Sequence, residues 1–192
     1  MDETRTGGML EPVDFAAVRD RMISHPKPPV KARVVERNQG QVVRTASVVY
    51  DGEGFWYIDD GARIELNSTG QFAVMVDGGD LIRHSGNVAA NSWVKSMLAG
   101  HLLVGLDAHP SPLSKMPRAR GEIAGVEVVN GYECWVADVM GLKADQAVTF
   151  RLWVEPTAGF VVRLRRGDID ASVDAEEMTI GTRKNGRDDG AG

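Results

Sequence analysis

Apolar residues recur along this chain at two different periods. Over Glu11–Ile23, Phe15, Val18 and Met22 fall three and four residues apart, which predicts one short amphipathic helix. Glu11, Pro12 and Asp14 suit its first turn, and His25-Pro26-Lys27-Pro28-Pro29 ends it. From Val30 the period becomes two. Arg33–Arg37, Gln41–Tyr50, Phe55–Ile58, Ala62–Asn67 and Gln71–Val76 are strand-like runs. The breaks between them pair Gly with Asn, Asp or Ser, the residues that give hairpin turns their positive φ. Helical spacing returns over Asn87–Leu106, with Asn87 as its cap. Asp107–Arg120, which holds Pro110, Pro112 and Pro117, reads as an exposed crossing loop. Strands resume over Gly121–Val129, Gly131–Val139, Val148–Glu155 and Phe160–Arg166, with a last run near Ala171–Ile180. Pro156-Thr157-Ala158-Gly159 suits a four-residue turn, which makes Val148–Arg166 the clearest hairpin.

Alternation then sorts the second-half strands into faces. One face takes Phe150, Leu152 and Val154, with Phe160, Val162 and Leu164 beside them and Cys134 and Val136 from the preceding strand. The other takes Arg151, Trp153, Arg163, Arg165 and Trp135. A sheet with one dry face must be covered by helices. The expected fold is therefore α+β: a single curved antiparallel sheet (a half-barrel of about nine strands) with two or three helices packed on its concave face. Residues 1–9 read as a flexible N-terminus, 10–181 as one half-barrel domain and 182–192 as a disordered tail.

Three stretches make the pattern familiar. They are Tyr50-Asp51-Gly52-Glu53-Gly54-Phe55-Trp56-Tyr57, Glu127-Val128-Val129-Asn130-Gly131-Tyr132-Glu133-Cys134-Trp135, and Leu152-Trp153-Val154-Glu155-Pro156-Thr157-Ala158-Gly159-Phe160-Val161-Val162-Arg163. With the order of elements, they resemble the LolA-like and RseB-like lipoprotein-carrier superfamily, whose members include sigma-factor regulators with the same half-barrel. The resemblance implies an apolar cavity between concave sheet and helices that takes acyl chains. It also implies a hydrophobic ligand or lipid-modified protein as partner. The chain departs from the family in lacking an export signal and the arginine that secures the lid of the carriers.

Composition narrows the class without naming a reaction. The chain has 192 residues, 43% hydrophobic and 26% charged, which excludes a disordered or fibrous protein. Net charge is −5, so no global basic field favours nucleic acid. One cysteine, Cys134, rules out an internal disulfide. The start shows no signal peptide, and no apolar run approaches the ~20 residues of a transmembrane segment. As written, the expectation is a cytoplasmic protein, or an exported or membrane-anchored one if a leader was removed.

His25, His84, His101 and His109, even with Asp107, lack a recognisable metal-ligand spacing and read as surface or capping residues. Ser92-Trp93-Val94-Lys95 matches Ser-x-x-Lys without the motifs that accompany it in penicillin-binding enzymes. Cys134, on an apolar face, reads as an inert thiol. Asp168, Asp170, Asp174, Glu176 and Glu177 read as a solvated acidic surface. No catalytic residue, metal or cofactor is expected. Two readings remain. In the first, the protein is a non-enzymatic carrier or sensor of a hydrophobic ligand, with Phe72, Val74, Val76, Trp93 and Met97 lining the cavity. Met75, Met116 and Met140 are further candidates for the lining. In the second, it is a regulatory or scaffolding domain whose outer face, through Trp135, Arg151, Trp153, Arg163 and Arg165, binds a protein partner.

Overall fold

A computed structural model describes residues 10, 11, 13–23, 27–50, 55–59, 62–66, 72–75, 81–84, 119–143, 146–166 and 170–181. Of residues 55–59, 62–66, 72–75, 81–84, 141–143, 146–148 and Arg44 it describes the backbone alone. The predicted tails, the Asn87–Leu106 helix and the crossing loop before Pro117 lie outside the described residues.

One helix, α1 (Phe15–Ile23), precedes eleven strands that form one antiparallel sheet. The first meander runs through β1 (Val30–Asn38), β2 (Gln41–Tyr50), β3 (Phe55–Asp59), β4 (Ala62–Leu66), β5 (Phe72–Met75) and β6 (Leu81–His84). The second runs through β7 (Arg120–Val129), β8 (Tyr132–Lys143), β9 (Gln146–Val154), β10 (Val161–Arg166) and β11 (Ala171–Ile180). The strand order is β6-β5-β4-β3-β2-β1-β11-β10-β9-β8-β7, so the last strand pairs with the first and joins the meanders. The last run, β11, and short β6, which alternation does not predict, raise the strand number above the expected nine. Among the described residues there is one helix rather than two or three.

Local sequence explains the ends of the elements. Asp14 caps α1: its Oδ1 accepts the Ala17 N–H at 2.7 Å, so the helix starts after Asp14 and not at Pro12. Gln39 and Gly40 both have positive φ, as do Asn130 and Gly131, which gives the β1–β2 and β7–β8 hairpins the twist that matches their strands.

The sheet is strongly curved. In strand order β8 and β11 are three steps apart, about 14 Å if flat. Yet the Tyr132 hydroxyl donates to the Met178 carbonyl at 2.6 Å, and Asn130 Nδ2 to that of Ala175 at 2.9 Å. The pairing of β10 with β11 ends at Arg163–Asp174, and the β7–β8 turn supplies donors to the next stretch of β11. The architecture is an open half-barrel.

Near the β9–β10 loop both faces of β8–β10 are buried, while Met140, Thr149, Arg151 and Arg165 at the other end are exposed, which corrects the expected split into one dry and one polar face. Register places Trp135, Ala137 and Val139 opposite Val154, Leu152 and Phe150, and these form a cluster with Phe15, Val18 and Met22 of α1. Cys134 and Val136 do not share that face. Val136 lies opposite Trp153, and both belong with Cys134, Phe160 and Val162 to a second cluster that includes Val34, Val48 and Tyr50. The β8 and β9 faces were thus matched one residue out of phase. A bulge between Val161 and Arg163 adds the further shift that separates Val162 from Leu164.

Candidate functional site

Helix α1 lies on the apolar face of β8–β10 and contacts the edge of the sheet at β7. Gly121 of β7 lets it approach, because a Cβ there would come within 2.6 Å of the Asp138 carbonyl and 3.0 Å of the Phe15 ring. Under this cover sits Trp135, 8% exposed, whose indole N–H is buried without a hydrogen-bond partner among the described residues. Such a group in an apolar setting costs about 1–3 kcal/mol, so it is an expensive feature to keep.

The far end of α1 is fixed by polar contacts to the β9–β10 loop. Lys27 is 2% exposed, and its Nζ donates to the Ala158 carbonyl at 2.7 Å and to that of Arg21 at 3.4 Å. It also lies 5.3 Å from the centre of the Phe160 ring. Burial pulls its ammonium down to about 8, against the opposing pull of Glu155. Glu155 holds the loop by accepting the N–H groups of Thr157 and Ala158 at 2.7 and 2.8 Å. The Arg21 guanidinium donates to the carbonyls of Pro156 and Thr157 at 3.0 and 3.3 Å. Burial, then Glu155, push the Cys134 thiol up to about 12, consistent with its reading as inert.

The outer face is a chain of ion pairs. Arg37 donates to Asp174 at 3.1 Å and Glu176 at 2.6 Å, Arg33 reaches Glu176 at 3.1 Å, and Arg163 and Ser172 also bond Asp174. Arg151 grips Asp138 through two bonds of 2.7 Å and holds its carboxyl below the usual carboxylate range. Three members of the predicted acidic surface, Asp174, Glu176 and Glu177, are therefore paired with arginines from distant strands. Asp168 lies outside the described residues.

The sequence-derived partner face does not come together as one surface. Trp135 and Trp153 lie in different clusters, at 8% and 3% exposure. Trp153 Nε1 donates to Glu127 at 2.7 Å, and Arg163 stacks 5.5 Å from its ring. Arg151 and Arg165 are exposed. Of the predicted cavity residues, Phe72 and Val74 fall on β5, opposite Leu66 and Ile64, while Val76, Trp93 and Met97 lie outside the described residues. Lys27 was missed because it sits between two prolines and read as a linker.

The comparisons agree with this architecture. MucB superposes over 93% of this chain with a TM-score of 0.51 and 16% identity. The chain shares the fold of MucB. It spans 61% of the MucB chain's length. A LolA superfamily protein from Nitrosomonas europaea matches over 90% of this chain and 96% of its own, at 12% identity and a TM-score of 0.36. PNGF-II matches over 81% of this chain and 28% of its own, at 9% identity and a TM-score of 0.45. No protein-family model matches the sequence, and no curated protein matches it. No helix among the described residues is long and apolar enough to cross a membrane.

Proposed function

We propose that the protein binds a hydrophobic ligand, the acyl chain of a lipid or of a lipid-modified protein, between its sheet and helical layer, as a carrier or sensor without chemical turnover. The observation that carries this reading is Trp135. Among the described residues its N–H has no acceptor in the apolar cluster under α1, and a ligand carbonyl entering there would satisfy it. The driving force would be removal of apolar area from water, about 25 cal/mol per Å². Phe72, Val74, Val76, Trp93 and Met97 would extend the lining, and an exported location would suit such a carrier.

Binding of a fluorescent fatty-acyl ester tests the reading, with an alkane-tailed probe of equal length as control. Trp135→Phe should weaken the ester about tenfold and leave the alkane unchanged, and Trp93→Ala should weaken both. Native mass spectrometry should show co-purified lipid. Binding no tighter than to a control protein, with no lipid in the spectrum, would overturn it.

A further inference from the structure

The far edge of the second meander is built differently from a protected sheet edge. Among the described residues β7 pairs with β8 alone and ends the sheet. Every residue of β7 except Val129 is exposed or half-exposed. Val126 and Val128, on the same face by alternation, are 41% and 72% exposed.

Natural sheets blunt such edges with lysine, proline, bulges or a covering element. Gly121–Val129 contains neither lysine nor proline. Its bulge lies between Ile123 and Gly125 and disturbs only the first half. From Gly125 to Val129 the register with β8 is unbroken, five residues, the length of an ordinary strand. Among the described residues nothing lies within 4 Å of a Cβ placed at Gly125.

Charge indicates what fits. Glu127 alternates with the two valines, and Glu122 lies further along the strand. Glu122 has no ion-pair partner among the described residues, and Glu127 uses only Oε2, for Trp153. A second copy of β7 would set these acids against their own kind, which is unfavourable directly across a strand pair.

We propose that β7 receives an extended segment of another protein as an added strand. The segment alternates apolar residues, which cover Val126 and Val128, with basic residues, which meet Glu122 and Glu127. Main-chain hydrogen bonds along Gly125–Val129 give affinity and the alternating side chains give selectivity. Val126 lies across from Trp135, so the added strand would run beside the ligand site, but its main-chain hydrogen bonds along Gly125–Val129 do not involve the indole N–H.

Three labelled peptides of about ten residues test it: alternating Val-Lys, alternating Val-Glu, and Val-Lys with alternate amides N-methylated. The full chain should bind Val-Lys about tenfold or more tighter than either other peptide. Amide exchange at Gly125–Val129 should slow in its presence. Val128→Lys, which lies across from Glu133 and not Trp135, should abolish that preference while acyl-ester binding persists, whereas Val42→Lys, at an exposed valine on β2, should change nothing. Equal binding of all three peptides, unchanged exchange, or equal loss in Val42→Lys would overturn the proposal. So would a dimer that protects Gly125–Val129 without peptide.

Discussion

The ammonium of Lys27 and the carbonyl of Ala158, 131 residues apart in sequence, meet at 2.7 Å in the interior of the protein. The contact joins the segment after α1 to the β9–β10 loop, and the helix C-terminus shares it through the Arg21 carbonyl. Lys27→Met should cost about 1–3 kcal/mol at neutral pH, because the carbonyls of Arg21, Ala158 and Gly159 lose their donor. Urea unfolding with an unchanged m-value measures it.

The same contact fixes a pH dependence. The Lys27 amine falls from 10.5 in the unfolded chain to about 8 in the folded one. Between those values the unfolded chain holds the extra proton, so Lys27 makes stability rise with pH from about 8 to 10.5. Cys134 acts oppositely from 9 to about 12, where the unfolded thiol ionises and the folded one does not. Cys134→Ala should therefore show a continuing rise, and Cys134→Ala with Lys27→Met should lose the Lys27 share of it. Denaturation midpoints at half-unit pH steps distinguish the two slopes.

Gly159 has φ of +71°, and a Cβ there would lie 2.6 Å from the Arg21 carbonyl carbon and 2.9 Å from the Met22 nitrogen. Gly40 has φ of +76° with nothing near its Cβ position. Gly40→Ala should cost about 1–2 kcal/mol for the left-handed backbone alone. Gly159→Ala should cost clearly more, since α1 must also shift. Thermal unfolding of the pair separates conformational strain from collision.

The two tryptophans should respond differently to removal of the indole N–H. Trp153→Phe loses a 2.7 Å bond to Glu127 and part of the stacking with Arg163. Trp135→Phe loses a donor that has no acceptor among the described residues. Ring contraction is common to both, so the Trp153 variant should be less stable by about 1–2 kcal/mol. An equal cost in the absence of ligand would mean that the Trp135 N–H is satisfied in solution.

Leu152 has no exposed surface and lies opposite Ala137 and Leu164 beneath α1. Leu152→Ala should cost about 2–5 kcal/mol. Arg151→Ala, one residue away on the exposed face, should cost about 0–1 kcal/mol despite its two bonds to Asp138. Chemical denaturation of both variants shows whether the register has been read correctly.

Much of this architecture was legible in the chain because its causes are local. Period two sets strands, Gly with Asn or Gln sets the hairpins at Gly40 and Gly131, and the Phe15, Val18, Met22 stripe sets α1. Tertiary structure alone decided which faces meet. The bulge at Val161–Arg163 breaks strict alternation, so Leu152 and Val162, matched by counting, lie in different clusters. Curvature decided the rest. Once β11 pairs with β1, Arg33 and Arg37 reach Asp174 and Glu176, and the curled sheet brings Tyr132 to Met178. Lys27 shows the same division: composition marks it as an exposed linker residue, but the loop carbonyls that bury it come from the other end of the chain. A sequence specifies its turns and periods through neighbouring residues, whereas contact between distant strands depends on the sum of small twists along the sheet.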